Sequence, residues 1–129
     1  LDGPYESIRE EVLANWRDRI KELAECPNVV VKLGGIGMPR TGFDWHLREK
    51  PIGSEELASQ MGPLLSYCIE QFGPERGMFE SNFPVDKVSY SYNILYNAFK
   101  IFSKDYTPTE RALMFRDNAI DIYSVDESL

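Results

Sequence analysis

The sequence predicts an α/β fold built on a parallel strand–helix–strand unit, and three observations carry that reading. Two short apolar runs, Val29-Val30-Val31-Lys32-Leu33 and Gly77-Met78-Phe79, lack period-two alternation and so read as strands buried on both faces. An amphipathic helical pattern from Ser54 to Phe72 separates them, as a parallel crossover requires. The second run passes directly into the polar cluster Glu80-Ser81-Asn82 and stops at Pro84. In α/β sheets, chemistry collects at the carboxyl ends of strands.

Length and composition set the bounds. The 129 residues suit one domain, and with 43% hydrophobic and 27% charged residues the chain reads as a soluble globular protein. A net charge of −7 argues against nucleic acid and against anionic membrane surfaces, both of which select basic patches. Cys26 and Cys68 fall in helical patterns at no metal-binding spacing, and read as reduced core thiols of a cytoplasmic protein. No signal peptide is visible, because charges crowd the first residues. The chain opens on Leu1 rather than Met, which suggests a start partway through a larger protein.

The elements follow in order. Asp2-Gly3-Pro4 reads as a helix start, with Asp2 as the cap, and Ile8, Val12, Trp16, Ile20 and Leu23 make the apolar stripe of a first helix ended by Pro27-Asn28. The first strand follows. Gly34-Gly35-Ile36-Gly37 then opens a loop to about Gly53, long enough to be a binding loop. Ser54 reads as the cap of the crossover helix, whose stripe runs Leu57, Met61, Leu64, Leu65, Cys68, Ile69 and Phe72. Pro63 predicts a kink or restart near Gly62, and Gly73-Pro74 predicts the stop. Beyond the second strand, Val88, Tyr92, Leu95, Phe99 and Phe102 mark another helix, and Thr107-Pro108-Thr109-Glu110 is a capping box that starts the last one. The tail from Asp126 is expected to fray.

This reading yields four or five helices and two strands. Two strands cannot close a barrel or shield their own edges, and unpaired edge groups must be satisfied. Either a second chain completes the sheet or the protein is a piece of a larger α/β barrel. The two are compatible.

Several runs carry a family resemblance. Val30-Val31-Lys32-Leu33-Gly34-Gly35 with Gly37-Met38-Pro39-Arg40, then Gly42-Phe43-Asp44-Trp45-His46, and above all Met78-Phe79-Glu80-Ser81-Asn82-Phe83-Pro84-Val85-Asp86-Lys87 resemble the carboxy-terminal part of amidohydrolase-related proteins. Asp117-Asn118-Ala119-Ile120-Asp121-Ile122-Tyr123 resembles that family's closing Asn-Ala-x-x-x-Tyr helix. The family consists of predicted metal-dependent hydrolases of TIM-barrel fold and includes lactonases. The resemblance implies that residues 1–129 are the carboxy-terminal portion of such a barrel domain, a partial (β/α)8 barrel holding its last two parallel strands. It implies a parent that hydrolyses a lactone or similar ester or amide, with a divalent metal such as zinc held by histidines outside this chain. The chain has one histidine, whereas catalytic zinc takes about three protein ligands, so no metal site is expected within it. The isolated chain is expected to be catalytically silent.

The resemblance also bears on single residues. The family's eighth strand ends in Gly-Ser-Asp-Trp-Pro or a similar run whose Asp transfers a proton, and Asn82 occupies that position here. An amide cannot act as a base at neutral pH, although it can hold a substrate carbonyl or hydroxyl. Alternation puts Glu80 on the face of Asn82, one step deeper. Glu80 then either takes over as base or pairs with Lys32 as an interior ion pair. Lys32, Arg40 and His46 are the candidate substrate-binding residues, Arg40 as a carboxylate clamp and His46 at the mouth of the long loop. Asp86 can cap the next helix or touch substrate. Gly34-Gly35-x-Gly37 lacks the spacing of a dinucleotide loop. The rival reading is a non-catalytic module that forms a homo-oligomer through its open sheet edges.

Overall fold

The computed structural model describes residues 3–126. A 3-10 turn, Gly3–Ile8, leads into α1, Arg9–Ala24. The predicted cap, Asp2, lies outside the described residues, as do residues 127–129 of the tail. The stripe of α1 is only half covered: Trp16 and Ile20 pack against the core, while Ile8 just before it and Leu23 near its end are exposed. The helix leans on its neighbour through the Trp16–Tyr67 ring contact at 5.6 Å and a bond from the Tyr67 hydroxyl to Arg17 O. Cys26 falls beyond the helix and is exposed, contrary to its core reading. Cys68 is buried, and burial pushes its thiol pKa up to about 11.

The two strands are β1, Val31–Leu33, and β2, Gly77–Phe79, joined by α2, Ser54–Phe72. They pair in parallel, with Val31 opposite Gly77, Lys32 opposite Met78 and Leu33 opposite Phe79. Side chains alternate along a strand, so Leu33 and Phe79 share the face turned to the helices, and Lys32, Met78 and Glu80 share the other. Double burial holds for β2, where all three residues are buried. It fails for β1, where Leu33 alone is buried and Lys32 stays exposed, as does Val30 just before the strand. The reason is that the apolar run fits a strand with cover on both faces, and among the described residues nothing covers the outer face of β1.

The stripe of α2 supplies much of the core, with Leu57, Met61, Leu65 and Ile69 buried in one cluster with Leu33, Phe79 and Phe99. Gly53, not Ser54, takes the N-cap position, and no side chain caps this helix. The helix runs unbroken past Pro63, so the predicted restart does not occur. Pro63 and Ser59 both face solvent, where water can meet the carbonyl that proline leaves unbonded. Gly73, at φ 80°, ends the helix and donates its N–H to Ile69 O at 2.8 Å.

After a 3-10 turn at Val85–Val88, α3 spans Tyr92–Phe102, started by Ser91, whose Oγ accepts the Ile94 N–H. Val88 belongs to that turn and is exposed, off the helix predicted to hold it. The capping box forms as read: Thr107 Oγ accepts the Glu110 N–H, and Glu110 accepts the Thr107 N–H at 2.8 Å. The Thr107 hydroxyl, which donates to Glu110 Oε2 at 2.7 Å, and next the Thr107 N–H hold the Glu110 carboxyl below its usual pKa. The last helix is α4, Pro108–Ala112, a π-helical turn at Leu113–Asp117, and α5, Asn118–Tyr123. The wider turn was not legible in the sequence. It buries Met114 and sets Phe115 against Phe79 at 4.6 Å, beside the Phe79–Phe99 stack at 4.5 Å.

At the amino ends of the strands, polar side chains meet the carbonyls that helix ends leave unbonded. Arg76 donates Nε to Phe72 O at 2.9 Å, Nη2 to Ala24 O at 3.0 Å and Nη1 to Cys26 O at 3.1 Å. Asn118 Nδ2 donates to Pro74 O and to Gly77 O, both at 2.7 Å. No helix among the described residues is long and apolar enough to cross a membrane.

Candidate active site

Glu80 is the first residue past β2, and its N–H reaches Leu33 O at 3.4 Å, one step beyond the last pair of the ladder. Its Oε2 accepts the Asn82 N–H at 2.9 Å and stands 3.9 Å from Lys32 Nζ. The expected Lys32–Glu80 pair is therefore present, though not as an interior one: the lysine side chain is 54% exposed and the glutamate 23%. Its strength is that of a solvent-screened contact. Gly34 and Gly35 make room for this group. A Cβ on Gly34 would strike the Glu80 backbone carbonyl, and Gly35 at φ 73° lies where a Cβ would be 3.4 Å from Glu80 Oε1 and 3.9 Å from the Asn82 carboxamide.

Asn82 sits in the left-handed region at φ 52°, which asparagine tolerates better than most residues. Its Nδ2 donates to Asp86 Oδ1 at 2.7 Å. Asp86 is wholly buried, and its Oδ2 accepts both the Gly37 N–H at 3.0 Å and the Tyr90 hydroxyl at 2.8 Å. Ser89 Oγ donates to Gly37 O beside it. The carboxylate thus bolts the loop after β1 to the turn after β2. Burial, and next the bond to Asp86, raise the Tyr90 phenol well above its ordinary pKa, so it is a neutral donor. Asp86 neither caps α3, which Ser91 does, nor reaches any surface a substrate could touch. In place of a cap or a substrate contact, Asp86 is a buried acceptor for three donors. The spacing of Asn82, Asp86 and Tyr90 at four-residue steps was the available sign, but Gly37 comes from a loop that no local pattern could place.

The structure brings Lys32, Glu80 and Asn82 together at the carboxyl ends of the strands. Arg40 and His46 have no hydrogen bond or ion pair with them. Arg40 is exposed on the Pro39–Thr41 turn and borders a largely apolar cavity of about 310 Å³ with Tyr5, Val12, Trp16 and Phe43. His46 lies on the Trp45–Leu47 turn, and its buried Nδ1 has no partner among the described residues. Trp45 stacks on Phe43 at 4.4 Å and donates Nε1 to Gln60 at 2.7 Å, which ties this loop to α2. Among the described residues no three His, Cys, Asp or Glu side chains are grouped to hold a metal, and both Asp86 oxygens are already engaged by donors. These residues do not fit a complete catalytic metal site.

Comparison with known proteins extends this picture. The chain is 38% identical over 125 residues to the uncharacterized protein y4mH of Sinorhizobium fredii, covering 97% of this chain and 36% of that protein. It is 29% identical over 119 residues to the L-fucono-1,5-lactonase of Burkholderia multivorans, covering 92% of this chain and 38% of the lactonase. Two crystal structures of a Burkholderia multivorans amidohydrolase share its fold. One, with bound HEPES, has a TM-score of 0.77 at 27% identity and matches 91% of this chain and 39% of its own. The other, with bound zinc, has a TM-score of 0.75 at 28% identity, matching 88% and 38%. The chain thus spans under two-fifths of the length of these relatives. The model of the amidohydrolase family runs from residue 3 to residue 125, through both strands and every helix described, and the chain belongs to that family.

Proposed function

We propose that residues 1–129 form the carboxy-terminal portion of a (β/α)8 barrel hydrolase whose parent opens a lactone, or a similar ester or amide, with activated water. The observation that carries this reading is the grouping of Glu80, Asn82 and Lys32 at the carboxyl ends of two parallel strands, where barrel enzymes keep their chemistry. The lactonase among the relatives supports the substrate class. In this reading Glu80 is the base. Its Oε2 is fixed by the Asn82 N–H, and its Oε1 takes no hydrogen bond among the described residues and can receive a proton from water. Asn82 holds a substrate hydroxyl, Lys32 balances the charge on Glu80, and Arg40 and His46 bind substrate from the long loop. A divalent metal in the parent, such as the zinc of the solved relative, would take its ligands from residues outside this chain.

The 129-residue chain alone is silent in this reading, since its described residues carry two strands of the barrel. A lactone panel with the purified chain tests this: no turnover is expected, and turnover abolished by Glu80→Ala would overturn the silence. In the longer parent, Glu80→Gln should lower kcat by about 100-fold or more with little change in KM. An unchanged kcat would remove Glu80 from the mechanism.

A second reading rests on the exposed outer face of β1 and the open edges of the two-stranded sheet. It makes the chain a non-catalytic module that self-associates there, taking neither nucleic acid nor membrane at a net charge of −7. Size-exclusion chromatography with light scattering separates the two, because a stable folded monomer counts against the module.

A further inference from the structure

Asn82 and Asp86 stand 2.7 Å apart through one side-chain oxygen and one side-chain nitrogen. Asp86 is wholly buried, and its other oxygen already takes two donors, the Gly37 N–H and the Tyr90 hydroxyl. A carboxylate so placed only accepts, so the Asn82 atom facing it must be the amide nitrogen. That leaves the Asn82 carbonyl oxygen without a hydrogen bond among the described residues, on a residue whose backbone N–H is already held by Glu80. We infer that Asn82 and Asp86 form a one-charge pair with the charge held at position 86, and that Asp86 is a positioning residue that makes position 82 an acceptor. The consequence for the site is a specificity rule: the substrate group opposite Asn82 must bring a hydrogen-bond donor, a hydroxyl or an amine. That consequence rests on the proposed hydrolase reading, whereas the pairing itself does not.

The geometry makes a sharp demand on substitutions. An aspartate at position 82 would set two carboxylates at 2.7 Å with no proton between them, so one must stay protonated. Its folded-state pKa would then lie above the unfolded value. Stability of Asn82→Asp would therefore match the native chain at acid pH and be lost as pH rises through that raised pKa. The double exchange, Asn82→Asp with Asp86→Asn, is different. The amide moved to position 86 would donate to the carboxylate moved to position 82. Its carbonyl oxygen would accept from Gly37 and Tyr90 as the Asp86 Oδ2 does now. Every bond survives with the charge carried to the other partner.

Urea unfolding of the 129-residue chain and both variants, from pH 4 to pH 8, tests this by stability rather than turnover, so an inactive parent would not decide it. Asn82→Asp is expected to lose at least about tenfold in its folding constant relative to the native chain between the two ends, one pKa unit of coupling. The exchanged pair should show no such pH-dependent loss. If Asn82→Asp fails to fold at neutral pH, recovery of folding in the exchanged pair carries the test. A single variant that tracks the native chain at every pH, one equally damaged at every pH, or an exchanged pair no better than the single variant would overturn the inference.

Discussion

The two ends of this small sheet are built from opposite chemistry. At the amino ends, donors serve carbonyls: Arg76 and Asn118 reach the backbone oxygens where α1 and α2 finish and β2 begins. At the carboxyl ends an acceptor serves donors, as Asp86 gathers a backbone N–H, an amide and a phenol. The polarity follows from the βαβ path. Helices that lead into parallel strands finish at the amino ends and leave unbonded carbonyls there, which need donors. The carboxyl ends open into loops with N–H groups to satisfy. The difference lies in what remains afterwards. Asn118 spends both its donor bonds on carbonyls and is buried. At the other end, the Glu80 Oε1 and Asn82 Oδ1 oxygens take no hydrogen bond among the described residues, which leaves them open to the substrate contact proposed above.

Substitutions can break this contrast, starting with the largest effect. Asp86→Ala should cost about 3–4 kcal/mol in chemical denaturation, because it strands a buried N–H and a buried phenol together. A loss below about 1 kcal/mol would show that Asp86 does not organise the carboxyl end. Arg76→Ala should cost about 2–3 kcal/mol, since several carbonyls lose their donor and Phe72 loses the guanidinium 5.1 Å from its ring centroid. Arg76→Lys should recover less than half of that loss, because a single ammonium cannot reproduce the spread of the planar fork. Full recovery would mean that charge, not geometry, is what the helix ends need. Asn118→Ala should cost about 1–2 kcal/mol, read by the same unfolding curves. Smallest of all, Glu80→Gln should change stability by no more than about 0.5 kcal/mol, since the half-exposed Lys32 contact is weak and glutamine still accepts the Asn82 N–H. A large loss there would make Glu80 a structural residue and remove the contrast between the ends.

How much was legible depends on how local the cause is. The Thr107–Glu110 box, the stop at Gly73 and the stripe of α2 each depend on residues a few positions apart, and each forms as read. The Lys32–Glu80 contact was also legible, because the crossover sets the two strands side by side. The restart at Pro63 failed because the proline faces water, a matter of which side of α2 meets the core. Three β-branched residues in a row fit a doubly buried strand, yet Val30 and Lys32 are exposed. The run records a preference for cover, not its presence in this chain.

The sequence by itself determined the strand–helix–strand order, the parallel pairing it entails and the polar cluster past β2, because helical periodicity and end signals act over a few residues. Only the tertiary structure decided what Asp86 does, since its partners include Gly37, forty-nine residues away. The same holds for the π-helical turn that brings Asn118 to the start of β2, and for the open face of β1. Each is a balance between a buried polar group and the distant atom that satisfies it, or between an apolar surface and the element that covers it. Those partners exist only once the chain has closed on itself.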